Sequence, residues 1–104
     1  MWENIIASYT TSPRDVHSVP LLRKDTLWFY VYVENGKLYV DCAKERTPSS
    51  NLSKRRMLSS SMEKCSIMYD IYLRRKTGEP ISGEATKITV NSIYWYGIFA
   101  DMGY

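Results

Sequence analysis

Residues 27–43 read LWFYVYV-ENGK-LYVDCA, and this stretch decides the fold. Two runs rich in aromatic and β-branched residues, the kind that strands prefer, flank Asn35-Gly36. Asn-Gly supplies the two positive-φ residues that a type I′ turn requires, so the stretch predicts a β-hairpin. A two-residue turn fixes the register. Val33 should face Leu38, Val31 should face Val40, and Phe29 should face Cys42, which gives one aliphatic face. Tyr32 then faces Tyr39, Tyr30 faces Asp41, and Trp28 faces Ala43. The second face is an aromatic platform of Trp28, Tyr30, Tyr32 and Tyr39 with one carboxylate beside it.

Upstream, Trp2, Ile5, Ile6 and Tyr9 recur at helical spacing and predict a short helix over 2–9. Residues 10–26 are polar and contain Pro13 and Pro20. They read as a connection, with Ser12-Pro13 able to start a single helical turn. Downstream, residues 44–60 read as a loop with a helical turn near Leu52–Leu58. A helix over 61–76 follows. Ser60 and Glu63 form a capping-box pattern at its start, Met62, Cys65, Tyr69 and Tyr72 lie along one stripe, and Asp70 pairs with Arg74. Arg74, Arg75 and Lys76 sit in its last turn, where the helix dipole favours cations, and Gly78 and Pro80 end it. Residues 86–99 admit either two short helices, about 83–89 and 92–102, or a hairpin turning at Asn91-Ser92. Trp95, Ile98, Phe99 and Met102 at helical spacing favour the helices.

The expectation is an α+β protein, a single compact domain over 1–104, with the hairpin packed against the helix 61–76 and two short C-terminal helices. The expected core is Phe29, Val31, Val33, Leu38, Val40, Cys42, Met62, Cys65, Tyr69, Tyr72, Trp95, Ile98 and Phe99. Composition agrees: hydrophobic residues are 44% and charged residues 24%, against disorder. No segment has the roughly 18 apolar residues of a membrane span. Residues 1–10 lack the basic and apolar regions of a signal peptide. Cys42 and Cys65 lack C-x-x-C spacing and read as buried thiols of a reducing compartment. The cytoplasm is the expected location.

Catalytic ingredients are sparse. There is one histidine, His17, and nothing in the sequence brings it to a cysteine as a nucleophile–base pair. Metal sites usually need clustered His, Cys or carboxylates, and none is evident. The five glycines are scattered, so no phosphate-cradling loop exists. No enzyme, metal or cofactor is therefore expected.

Two features point to binding instead. Aromatic residues make up 13% of the chain, nine of them Tyr. The aromatic platform could stack unpaired bases, meet a protein partner or a second copy, or lie under a helix such as 2–9. The net charge of +3 lies in the second half, where Lys54-Arg55-Arg56 and Arg74-Arg75-Lys76 form two basic runs. These could contact phosphates, or be solvated charge and dipole compensation.

Residues 82–98 resemble a helix-turn-helix, with Ala85 as the small residue, Ile88, Val90, Trp95 and Ile98 as inner apolar positions, and 61–76 as the supporting helix. That resemblance implies nucleic-acid binding. Ser92–Asp101 carries no Arg, Lys or Gln to read base edges, and a helix apolar on all sides belongs in a core or interface. The leading functional expectation is nucleic-acid binding through Arg55, Arg56, Arg74, Arg75 and Lys76, aided by the aromatic face. The alternatives are a protein-interaction or homodimerising module using Trp28, Tyr30, Tyr32 and Tyr39, or a pocket holding a small organic cation beside Asp41.

Overall fold

A computed structural model describes residues 1–19 and 26–104. The elements run α1 (Trp2–Thr11), β1 (Arg14–His17), β2 (Trp28–Glu34), β3 (Lys37–Cys42), β4 (Arg56–Ser59), α2 (Met62–Lys76), α3 (Ser82–Ile88) and α4 (Ser92–Asp101). The fold is α+β. The hairpin of β2 and β3 forms in the register that the Asn-Gly turn dictates, with Val33 opposite Leu38, Val31 opposite Val40 and Phe29 opposite Cys42. Asn35 and Gly36 have φ of 53° and 73°, the left-handed pair such a turn demands.

The hairpin is the centre of a four-stranded antiparallel sheet, ordered β1-β2-β3-β4. Both outer strands correct the sequence reading. Residues 14–17, read as connection, form β1. Val16 lies opposite Phe29 and is buried, while the polar neighbours Arg14, Asp15 and His17 masked its alternation. The part of the 10–26 connection that holds Pro20 lies outside the described residues. The helical turn expected near Leu52–Leu58 does not form: residues 51–55 are irregular, with a bend at Ser53-Lys54, and lead into β4, where Leu58 and Ser59 are buried. A register shift at Leu38/Tyr39 lets this four-residue strand pair with β3. Strands this short are set by their neighbours more than by their own propensity.

Helices α1, α2 and α4 pack on the aliphatic face of the sheet. Ile5 and Tyr9 of α1, Cys65, Met68, Ile71 and Tyr72 of α2, and Trp95, Ile98 and Phe99 of α4 share one buried cluster with Val16, Phe29, Val31, Leu38 and Val40. Burial pushes the Cys65 thiol up to about 11. Val33, Cys42 and Tyr69 pack at the margin of the cluster. Met62 does not belong to it: as the first residue of α2 it is 58% exposed, while Met68 and Ile71 further along the helix are buried in the cluster.

The capping box at Ser60 and Glu63 is also absent. Ser61 is the N-cap of α2 and makes no side-chain cap bond. The hydroxyl of Ser59 instead accepts from the Ser61 N–H and donates to the Ser61 carbonyl. At the other end, Gly78 and Glu79 donate back to the carbonyls of Arg75 and Arg74 and close the helix in a Schellman motif.

The tail is helical. Tyr94 to Phe99 of α4 are all buried, because this helix lies between the sheet and α2. Gly97 allows the approach: a Cβ there would sit 2.8 Å from Phe29 Cζ and 2.9 Å from the His17 carbonyl oxygen. The C-terminal end of α4 is tied to α1 and β1. Tyr9 donates to Asp101 at 2.6 Å, and Arg14 donates to the same carboxylate while lying 4.3 Å over the Tyr9 ring. Burial, then the hydrogen bond to Asp101, raises the Tyr9 pKa. No helix among the described residues is long and apolar enough to cross a membrane.

Candidate functional site

Side chains alternate across a strand, so burying the aliphatic face under helices turns the aromatic one outward. Among the described residues no helix packs on it, and α1 lies on the opposite side of the sheet from the one expected of a cover. Trp28, Tyr30, Tyr32 and Tyr39 are half-buried. The Tyr32 and Tyr39 rings are stacked, 5.4 Å between centroids with planes 15° apart, and Tyr30 lies 5.6 Å from Tyr32. His17 of β1 meets the Trp28 ring edge-on at 5.1 Å. Met57 of β4, opposite Tyr39, continues this face to the other edge.

Cations frame the rings. The Arg55 guanidinium lies 4.4 Å from the Tyr39 centroid, and its Nη1 donates to the Tyr32 hydroxyl at 3.0 Å and to Glu34 at 2.7 Å. These hydrogen bonds raise the Arg55 pKa further. Lys44 Nζ is 5.1 Å from the Tyr30 centroid, and the Arg46 guanidinium is 5.2 Å from that of Trp28. Sequence reasoning missed Lys44 and Arg46 as members of this surface. Their signal was weak, two cations alternating with Glu45 just past a strand end.

What holds Lys44 and Arg46 there is Asp15 of β1. Its carboxylate accepts the backbone N–H groups of Lys44, Glu45 and Arg46 at 2.8, 2.7 and 2.9 Å. Three successive amides around one anion make a nest, filled here by the chain's own side chain. Partial burial acts to raise the Asp15 pKa, but the three backbone hydrogen bonds outweigh it and hold the carboxyl below its ordinary value. A cleft of about 490 Å³, walled by Arg14, Asp15, Tyr30, Lys44, Glu45 and Arg46, opens at this end of the platform.

Replacing Asp15 with Asn is expected to lower stability at pH 7 by about 1–2 kcal/mol, because all three bonds lose their charge assistance and the amide nitrogen cannot accept. The folded-state pKa is depressed, so the carboxylate's contribution is complete above the ordinary value of about 3.9 and is lost as pH falls through the lower folded-state value. The gap between wild type and Asp15→Asn, measured by urea unfolding across pH, should therefore close only at acid pH. A gap that persists unchanged at pH 2 would refute the assignment.

The structure does not bring the two basic runs together. Arg55 belongs to the platform. Arg56 turns to the start of α4 and donates to Asn91 Oδ1 at 3.2 Å. Arg74, Arg75 and Lys76 lie at the far end of α2, about 20 Å along the helix axis from its start. There Arg74 bonds Glu79 and Glu84, with Asp70 at 3.6 Å. Arg75 donates to the Val19 carbonyl and lies 4.5 Å over Tyr96, where burial lowers its pKa. Lys76 donates to the Tyr104 carbonyl at 3.0 Å. Of the helix-turn-helix positions, Ala85 is buried and Ile88 partly so, whereas Val90 is 77% exposed and α4 is spent on the core.

Among the described residues no group of three or more His, Cys, Asp or Glu is placed to hold a metal ion. Fold and site together define a two-layer α+β protein with an open aromatic sheet face framed by cations. No protein-family model, curated protein or solved structure matches the chain.

Proposed function

We propose that this protein binds single-stranded nucleic acid across the open face of its sheet. The observation that carries this reading is the row Tyr30, Tyr32 and Tyr39, spaced 5.4–5.6 Å apart on an uncovered face and framed by Lys44, Arg46 and Arg55. Unpaired bases stack on aromatic rings whatever their sequence, and cations at the rim draw the phosphates alongside. A duplex hides its base faces and gains only the charge term. On this reading Arg55, over the Tyr39 ring, meets a phosphate. Arg74, Arg75 and Lys76, held in contacts within the chain at the far end of α2, supply at most a general positive field.

The test is a titration with mixed-sequence single strands of roughly ten nucleotides, and with the matching duplex, followed by Trp fluorescence at several salt concentrations. Binding should favour the single strand. Three cations on phosphates predict a slope of log K against log salt of about −2. Quenching should vanish in Trp28→Phe, since Trp95 is fully buried and Trp2 belongs to α1 on the other face. Absence of binding at low salt would overturn the reading. The same Tyr- and Arg-rich face would then fit a protein partner, in which these residue types are enriched.

A further inference from the structure

We propose that the outer edge of β4 is a self-association surface, on which a second copy of the chain pairs its own β4 antiparallel about a two-fold axis. Among the described residues β4 has β3 as its only strand neighbour, so its other edge presents backbone donors and acceptors without a sheet partner. Beside that edge, between β4 and the start of α2, runs a groove of about 480 Å³ lined by Met57, Leu58, Ser59, Glu63, Lys64 and Ile67. Met57 and Ile67 are 47% and 42% exposed, and Met62 stands out at the same corner. Edge strands are commonly guarded by charge along their length, yet the middle of this one is Met57-Leu58.

Charge selects the occupant and its direction. The chain enters β4 through Lys54-Arg55-Arg56 and leaves it through Ser60-Ser61-Met62-Glu63. Parallel pairing of two copies would set the basic ends side by side. Antiparallel pairing sets Arg56 of each copy toward Ser60, Ser61 and Glu63 of the other, twice over, and such an isologous contact closes at two. A two-fold axis normal to the sheet keeps both aromatic faces on one side. The dimer would thus carry two platforms on one eight-stranded sheet, meeting at Met57 beside Tyr39. This inference does not rest on the nature of the ligand.

Sedimentation equilibrium of the full chain should show a monomer–dimer equilibrium, and hydrogen exchange at 56–59 should slow as concentration rises. Met57→Lys and Ile67→Lys, both on exposed positions, should each weaken the dimer at least about tenfold, with a thermal midpoint unchanged at concentrations where wild type is monomeric. Leu73→Lys, further along α2, should not. Arg56→Glu and Glu63→Lys should each weaken association, and the double variant should restore it. A monomer throughout the concentration range overturns the proposal, as does a dimer indifferent to Met57→Lys and Ile67→Lys. A monomer that still binds single strands overturns the dimer alone and leaves the sheet face as the binding site.

Discussion

Gly97→Ala is expected to destabilise the protein by about 1–3 kcal/mol, and a loss of 2 kcal/mol would lower the thermal midpoint by about 10 °C. The sign runs against helix propensity, since Gly to Ala inside an exposed helix gains about 1 kcal/mol. Gly97 is where α4 touches the sheet. Its added methyl would lie 2.8 and 3.1 Å from two carbons of the Phe29 ring and 2.9 Å from the His17 carbonyl oxygen. The ring cannot swing away freely, because Phe29 is itself buried and packed edge-on against Tyr94 at 4.9 Å. The carbonyl belongs to β1, which is paired to β2. Relief must therefore come from lifting α4, which loosens Trp95, Ile98 and Phe99 together. Gly83 in α3 is the matched control: a Cβ there meets nothing within 4 Å. Gly83→Ala should stabilise by a few tenths to about 1 kcal/mol. Thermal or urea unfolding of both variants decides the matter, and a stabilising effect at Gly97 would remove the close approach from the account.

The hairpin was legible because three independent signals agreed over one short stretch. Asn35-Gly36 dictated the turn, the turn dictated the register, and period-two alternation told the two faces apart. Helix α2 was legible from its length and its C-terminal stop, and α4 from the spacing of Trp95, Ile98, Phe99 and Met102. The outer strands were not. Each is four residues long, and in each a single fully apolar pair or residue, Val16 in one and Met57-Leu58 in the other, is set among charged and hydroxyl side chains. Such segments become strands because β2 and β3 offer them an edge, a tertiary cause that local pattern cannot express. Met62 failed for a related reason. Helical periodicity says which residues share a stripe, but not how far along its axis a helix remains in contact with the sheet.

The platform residues were legible by the same alternation, whereas their exposure was not. Both faces of the hairpin are hydrophobic enough to be buried, and only the position of α1 and α4 on the aliphatic side leaves Trp28, Tyr30, Tyr32 and Tyr39 open. The cation rim was partly legible. Arg55 stood out in its basic run, but nothing local distinguished it from Arg56, which turns to Asn91 instead. Lys44 and Arg46 are placed by Asp15, 29 to 31 residues earlier in the chain, through bonds to backbone rather than side chain.

Tyr32 is the position at which the proposed function is most exposed to test. It stands between Tyr30 and Tyr39 and accepts the Arg55 bond, so stacking and charge meet there. Tyr32→Ala should weaken single-strand binding by about 10- to 100-fold, the range set by one stacked base. Its cost to folding should be smaller, about 1 kcal/mol, since what is lost is mainly a cross-strand pair with Tyr39 at a half-exposed site. Tyr32→Phe separates ring from hydroxyl. It keeps the stacking surface, frees Arg55 from one bond and should leave affinity within about threefold of wild type. Arg55→Gln should instead reduce the salt slope by about 0.7, one phosphate contact on a single strand. The three variants divide the possible outcomes. Loss with Ala but not Phe, together with a shallower slope in Arg55→Gln, means bases lie on the ring while phosphates pass Arg55. Loss confined to Arg55→Gln would mean that the rings only support the guanidinium and that binding is electrostatic. If Tyr32→Ala and Arg55→Gln both bind as wild type does, nucleic acid does not cross the sheet face at Tyr32 and Tyr39, and the row of rings that carries the proposal is not its site.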